Sequence, residues 1–327
     1  MEIEGFKKES YDKVNKNKWN KIIIKSPDST VFHTPEFIGI QNEVFNIDID
    51  VLISEECIFP IFRDKIGIFP IYGSPLPETG SFYGGPVCVS NVDYSEIFKN
   101  MKFGVIEGFF SIFFLKTPCN VKMNLQKNYE YEHVKNYILE IDKDIDDIWR
   151  KLNKKTRNAI RKAEKSGVRV EIGDVDDLSY YLPMIRDVIK RSPHTPIPYE
   201  MIHRVIERDI GKLFIAYYKD KPVSGGIFLT FKGTVTYWSG ASLSEFRRYQ
   251  PSNLLHWEVI KWAFDEGYKN YDLGGAEIPS IAKFKKGWGG REVYYYRIYN
   301  KNFITKLSKI VYKTLRKRKC SIMSRIP

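Results

Sequence analysis

Residues 271–290, YDLGGAEIPSIAKFKKGWGG, gather five glycines, three lysines and three aromatics into twenty positions. Glycine lets backbone approach another body closely, and a lysine ammonium in a partly dry cleft stabilises negative charge developing on a carbonyl oxygen. Such a stretch, with Phe284 and Lys285 in FKK and Asp272 ahead of Gly274 and Gly275, can be the wall of an active site. The competing reading is a packed corner, with Phe284 in the core and Lys285 a surface charge. Asp272 precedes two glycines, where it can orient their turn, cap the following helix or receive a proton.

Three further groups could touch a substrate. Tyr237 and Trp238 lie on an expected strand ahead of SGAS, with Ser239 close by, and strand alternation puts one of the two rings inside. Arg191 opens a proline-rich loop, RSPHTPIPYEMI, and a guanidinium can grip a diphosphate through forked hydrogen bonds. Residues 150–165 carry eight cations against Glu164 alone, so Lys154, Lys155, Arg157 and Arg161 are candidates for an RNA or phosphate contact. A solvated helix face is the plainer reading of that run.

The net charge is +12, and residues 301–327 hold nine cations and no acid, which leaves about +3 for the rest. Two dense basic regions point to a polyanionic partner: a nucleic acid, a phosphorylated substrate or an anionic membrane surface. Cys57, Cys88, Cys119 and Cys320 have no paired spacing, which argues against a disulfide framework or zinc site and suits a reducing cytoplasm. No apolar run reaches the ~20 residues of a membrane span. HExxH, Walker, GxGxxG and serine-elbow patterns are missing, and His256, beside Trp257 on an expected helix, reads as a packed histidine.

With 43% hydrophobic residues, the 327-residue chain can bury two ordinary cores. The first stretch reads as helices over 10–27 and 36–43, strands DIDVLIS, CIFPIFR and KIGIFPIYG, a Pro/Gly loop, a helix near 93–102 and strands at 103–115 and 121–126. The second begins with strand YILEI and one long helix over 142–167, capped by Gly167. A strand, two helices and a three-strand meander (KLFIAYYKD, PVSGGIFLTFKG, TVTYWSGAS) follow, then helix PSNLLHWEVIKWAFDEG, strand KNYDLGG, short helix IPSIAKFKKG and strand EVYYYRIYN. This order is that of a GNAT-type acyltransferase domain. The expected fold is α/β, two GNAT-like domains in tandem (1–135 and 136–300) with a basic amphipathic C-terminal helix (301–327) docking on the first.

The segments IWRKLNKKTRNAIRKAEKSGVRVEI, YWSGAS, PSNLLHWEVIKWAFDEGYKNYDLGG and FKKGWGG resemble the FemABX family of peptidyltransferases, in order and in spacing. The likeness runs from about 30 to 300 and is strongest after 146. It implies an enzyme that moves an aminoacyl group from aminoacyl-tRNA to an amine of a cell-wall peptide precursor, with no cofactor beyond that donor. By resemblance, Lys285 lies where the acyl end meets the acceptor, Phe284 shapes the pocket, Tyr237 contacts substrate and Arg191 contacts phosphate. One departure concerns the acceptor. Some relatives carry an aromatic residue and, four positions on, a lysine for the precursor's phosphates, whereas Phe37 and Gln41 stand at that spacing here. A lipid-linked precursor, or the peptide of another wall polymer such as pseudomurein, becomes the more credible acceptor.

Two other readings stay open. One is a CoA-dependent N-acyltransferase acting on a sugar or polysaccharide precursor. Against it, Gln250, Pro251, Ser252 and Asn253 replace the glycine-rich loop whose backbone NH groups would cradle a pyrophosphate. The other is a non-catalytic RNA- or membrane-surface-binding protein. The expected place is the cytoplasm, with peripheral association at the inner face of the membrane.

Overall fold

The computed structural model describes residues 5–66, 69–76, 78–90, 112–118, 129–142, 144–191 and 197–300. The basic tail at 301–327, Cys119, Cys320 and the expected helix near 93–102 lie outside them. The chain divides into two compact units: Met1–Val134 with Tyr294–Pro327, and Lys135–Val293.

Unit 1 carries β1 (Lys7–Ser10), α1 (Lys16–Lys25), α2 (Pro35–Phe45), β2 (Asp48–Ile53), β3 (Cys57–Ile66), β4 (Phe69–Ser74), β5 (Val87–Cys88) and β6 (Ile112–Pro118). Asn15 caps α1, and Thr34 caps α2 just ahead of Pro35, a residue whose missing NH costs nothing in a first turn. Strands β1 to β4 form an antiparallel meander, and β4 then pairs β6 in parallel. Phe37 and Gln41 are both fully buried on α2, and the Gln41 amide donates to Thr79 O and Ser81 Oγ, each at 2.9 Å. Gln41 is thus a tie between α2 and a loop.

The cysteines overturn one expectation. Cys57 and Cys88 face each other across the antiparallel β3–β5 pair, with Cα atoms 4.1 Å apart, and are joined as a disulfide. A separation of 31 residues hides a pairing that only the strand register creates. Thiol titration of the denatured chain is expected to find two fewer thiols before reduction than after it; an unchanged count would show the bond does not form.

Unit 2 contains the rest of β7 (Tyr129–Glu140), α3 (Ile145–Lys151), α4 (Lys154–Lys165), β8 (Val168–Gly173), α5 (Leu178–Arg191), α6 (Tyr199–Glu207), β9 (Gly211–Tyr218), β10 (Lys221–Phe231), β11 (Thr234–Ser242), a 3-10 turn (Ser244–Tyr249), α7 (Pro251–Asp265), β12 (Asn270–Gly275) and α8 (Pro279–Lys286), and ends within β13 (Arg291–Asn300). Its pairings repeat those of unit 1: an antiparallel meander, β8 to β11, then a parallel step to β12, with β7 antiparallel beyond. Each unit thus has the same succession of antiparallel strands and one parallel pair, a mixed α/β arrangement twice over.

The single long helix expected over 142–167 is two. Leu152 is extended, and Asn153 caps α4 by accepting from Thr156 N at 2.7 Å. An asparagine three residues before a helical NH offers the backbone a better partner than helix continuation does. The break frees the Asn153 NH to donate to Gly287 O at 3.0 Å.

Helices cover both faces of this sheet. A side chain at Gly225 would strike the Tyr181 ring of α5, and one at Gly226 would crowd Leu255 of α7. Neighbouring strand positions point to opposite faces, so α5 and α7 lie on opposite sides.

Candidate active site

The parallel step is where the sheet opens. β11 and β12 pair only through Thr234–Asn270, Val235–Tyr271 and Thr236–Asp272. Beyond that point β11 runs on to Ser242 along β10, while β12 follows β7 to Gly275. Tyr237 is the first β11 residue past the parting.

Lys285 stands at this opening. It is 6% exposed, its Nζ donates to Gly275 O at 2.9 Å, and it lies 5.7 Å from the centre of the Tyr237 ring. Burial pushes its pKa down to about 8, against the pull of the Asp272 carboxylate. A cation held in so dry a place, with a backbone carbonyl as its hydrogen-bond partner, is positioned to bind an oxygen that becomes negative.

The floor beside it is aromatic. His256 packs against Tyr237, Phe284 and Trp288 at 4.5, 5.3 and 5.4 Å between ring centres, and its Nδ1 shares a 2.5 Å hydrogen bond with Tyr271 Oη. Burial takes the imidazole down to about 3, with Lys285 adding to the effect, so His256 is neutral across the physiological range. Burial likewise raises Tyr237 to about 12. Neither group is a base at neutral pH.

Backbone contacts fix the lysine's turn. The Gly287 carbonyl takes the Asn153 NH, a Cβ at Gly289 (φ +75°) would stand 2.5 Å from Lys151 O, and one at Gly290 would stand 2.9 Å from the Ile138 backbone. GWGG is therefore clasped between the α3–α4 break and β7, and no side chain fits at its last two glycines. Gly289→Ala, strained in backbone and blocked in space, is expected to cost about 1–3 kcal/mol in urea unfolding.

Asp272 organises the other wall. Its Oδ1 accepts from Gly274 N at 2.8 Å and from Asn136 Nδ2 at 2.7 Å, holding Gly274 at φ +74°. Gly275 supplies the carbonyl that meets Lys285.

Other residues singled out from sequence stand apart from this centre. β11 carries a bulge: Ile227 faces Ser239 but Phe228 faces Tyr237, leaving Trp238 as the extra residue. Tyr237 and Ser239, two apart, consequently lie on opposite faces. Ser239 Oγ meets Tyr181 Oη at 2.9 Å on the α5 side, away from Lys285. Arg191 donates from Nε to Asp187 at 2.8 Å and from Nη2 to Ser242 O at 2.7 Å, tying the end of α5 to the end of β11. Lys154 and Lys155 are exposed in the first turn of α4. Arg157 turns back onto the Arg150 and Leu152 carbonyls, and Arg161 lies over the Trp149 ring at 5.3 Å.

Asn136, Tyr271 and Trp288 escaped sequence reading as parts of the site. An asparagine inside an otherwise strand-like run, YEYEHVKNYILE, was the one available signal for the first.

Residues 150–286 match the acetyltransferase (GNAT) domain model. The chain is 30% identical over 99 residues to the aminoacyltransferase FemA of Staphylococcus aureus, a match covering 28% of this chain and 23% of FemA. The matched part thus spans under a quarter of that relative. Among solved structures, FemX superposes with a TM-score of 0.69 at 12% identity, over 93% of this chain and 99% of FemX. L-PGS from Bacillus licheniformis follows the same fold with a TM-score of 0.60 at 11% identity, over 94% and 98%. Motifs, domain match and fold agree that the chain is similar to the FemABX proteins and carries a GNAT-type domain over residues 150–286.

Proposed function

We propose that the protein is an aminoacyltransferase that moves an aminoacyl group from aminoacyl-tRNA to an amine of a cell-wall peptide precursor. The observation that carries this reading is the buried Lys285 ammonium at the point where β11 and β12 part. The acceptor amine attacks the ester carbonyl and a C–N bond forms. The carbonyl oxygen becomes an oxyanion facing Lys285, and the C–O bond to the tRNA ribose then breaks. The leaving hydroxyl takes up the proton that the amine gives up. Phe284 and Tyr237 shape the pocket, while Asp272 and Asn136 hold the Gly274–Gly275 turn. With tRNA as donor the reaction belongs in the cytoplasm, a compartment in which a bond such as Cys57–Cys88 is uncommon.

Gln41 bears on the acceptor. It is buried and engaged with Thr79 and Ser81, so this position offers no cation to a precursor's phosphates. That favours a lipid-linked or pseudomurein-type precursor. The start of α7 bears on the donor. Gln250 is left-handed and Pro251 occupies the first helical turn, which removes a backbone NH from the place where a pyrophosphate would sit.

A second reading has its own support in the fold. The C-terminal domain of a protein assigned as a lysylphosphatidylglycerol synthetase, from Agrobacterium fabrum, superposes with a TM-score of 0.61 at 10% identity. On this reading the acceptor is a phospholipid headgroup.

The test follows radiolabel from a pool of charged tRNAs into extracted wall precursors and, separately, into phospholipids, beside labelled acetyl-CoA as a rival donor. Label passing from tRNA to a wall precursor supports the proposal. Transfer to lipid alone replaces the acceptor, and transfer from acetyl-CoA alone overturns the donor.

A further inference from the structure

The 3-10 turn after β11 carries Phe246, Arg247, Arg248 and Tyr249, and the β9–β10 turn brings Tyr218, Lys219 and Lys221 against it. Tyr218 and Tyr249 stack face to face, 4.1 Å between centres and 19° between planes, and Phe246 packs at 5.9 Å from Tyr218. Cations lie over these rings: Arg248 over Tyr249 at 4.8 Å, Lys221 over Phe246 at 4.8 Å and Lys219 over Tyr218 at 5.6 Å. Lys221 is paired with Glu245 at 3.0 Å. Lys219, Arg247 and Arg248 have no carboxylate in ion-pair range among the described residues, and all three are exposed.

Two features of the backbone show where this cluster lies. Lys219 and Asp220 both hold left-handed φ angles, 49° and 61°, where asparagine or glycine is the usual choice, so a cation is kept at the tip of the hairpin. Tyr218 pairs with Lys221, and Ser224 with Ser242, which puts the cluster at the end of the sheet toward which β11 runs past the parting. Tyr249 precedes α7 by two residues, and His256 lies five residues along that helix from Pro251, roughly 8 Å of axial rise.

We infer that this cluster of Tyr218, Lys219, Phe246, Arg247, Arg248 and Tyr249 binds single-stranded RNA, which rests on the reading of charged tRNA as donor and gives its unpaired end a seat. Tyr218 and Tyr249 spend one face on each other, so a base stacks on the Arg248 guanidinium that covers Tyr249, while unpaired cations take the phosphates. A lipid surface would instead select apolar side chains that protrude, and these three rings are partly buried.

The test measures binding of a short single-stranded RNA by fluorescence anisotropy across a salt series, on the full chain. The triple change Lys219→Ala, Arg247→Ala, Arg248→Ala is expected to lower the slope of log K against log salt by about 2, at about 0.7 per lost phosphate contact. Tyr249→Ala is expected to weaken binding about ten-fold by removing the ring that supports the Arg248 guanidinium. Thermal unfolding checks that each variant is folded, and Tyr249→Phe, which keeps the ring, should retain binding. Unchanged affinity and slope in the triple variant overturn the inference, as does binding to anionic vesicles with none to RNA. Failure of the wild type to transfer label from tRNA would sink the proposed function but leave a cluster-dependent RNA affinity standing.

Discussion

Lys285→Met will lower kcat about 100- to 1000-fold while leaving the KM for the charged donor within a few-fold. That pattern marks an interaction made in the transition state only, and its size matches the loss of one oxyanion donor in other acyl-transfer sites. Methionine preserves the length and fills the space, so the fold should survive. Steady-state kinetics with unfolding curves alongside separate the two effects. An unchanged kcat would remove Lys285 from the chemistry.

The pH behaviour follows from the same side chain. Burial holds the ammonium at about 8. As pH rises through that value the charge is lost, so kcat should fall on the alkaline side, and Lys285→Met should lack that limb. Stability moves the other way. The unfolded lysine titrates near 10.5 and the folded one near 8, so between those values the unfolded chain binds more protons. Unfolding free energy therefore rises with pH over that window. The gain is on the order of 3 kcal/mol at most, reduced in practice because the site is not wholly dry.

Trp288→Ala is expected to cost about 3–5 kcal/mol in urea unfolding, among the larger single effects available in unit 2. Trp288 is fully buried and packs on His256 and Phe284, at the base of the turn that carries Lys285. Truncation leaves a cavity below Lys285, so kcat should drop as well. Trp288→Phe should be far milder, because the indole NH has no hydrogen-bond partner and its removal relieves an unsatisfied donor. Equal losses in both variants would show that the cavity is not the cause.

Helices and strands were legible because their signals are local. Thr34–Pro35 announces α2, the meander β9 to β11 is punctuated by KDKP and KGT, and GG and GWGG mark the turns around α8. The resemblance carried the reading to Lys285, since nothing in FKK alone distinguishes a buried lysine from a solvated one. Contacts between distant residues stayed hidden. The Cys57–Cys88 bond depends on strand register, the bonds of Arg191 on where β11 ends, and the depression of His256 on rings gathered from β11, β12, α8 and the turn after it. The break at Asn153 was a local feature misread, as were strand β1 and the start of α1: apolar periodicity runs straight through Asn153, and the capping geometry overrides the period.

The bulge at Trp238 makes β11 slip by one position partway along its length. Counting in twos from Tyr237 leads to Ser239, yet it is Gly240 that shares the tyrosine's face, and a Cβ there would fall on the tyrosine hydroxyl. The two positions draw on a single volume: a ring at 237 requires nothing at 240. A descendant of this chain that exchanged the pair, bulk at 240 and a small residue at 237, would open the floor beside Lys285 without moving the lysine. Substrate range could then drift through one compensated swap, with the Lys285 charge left in place.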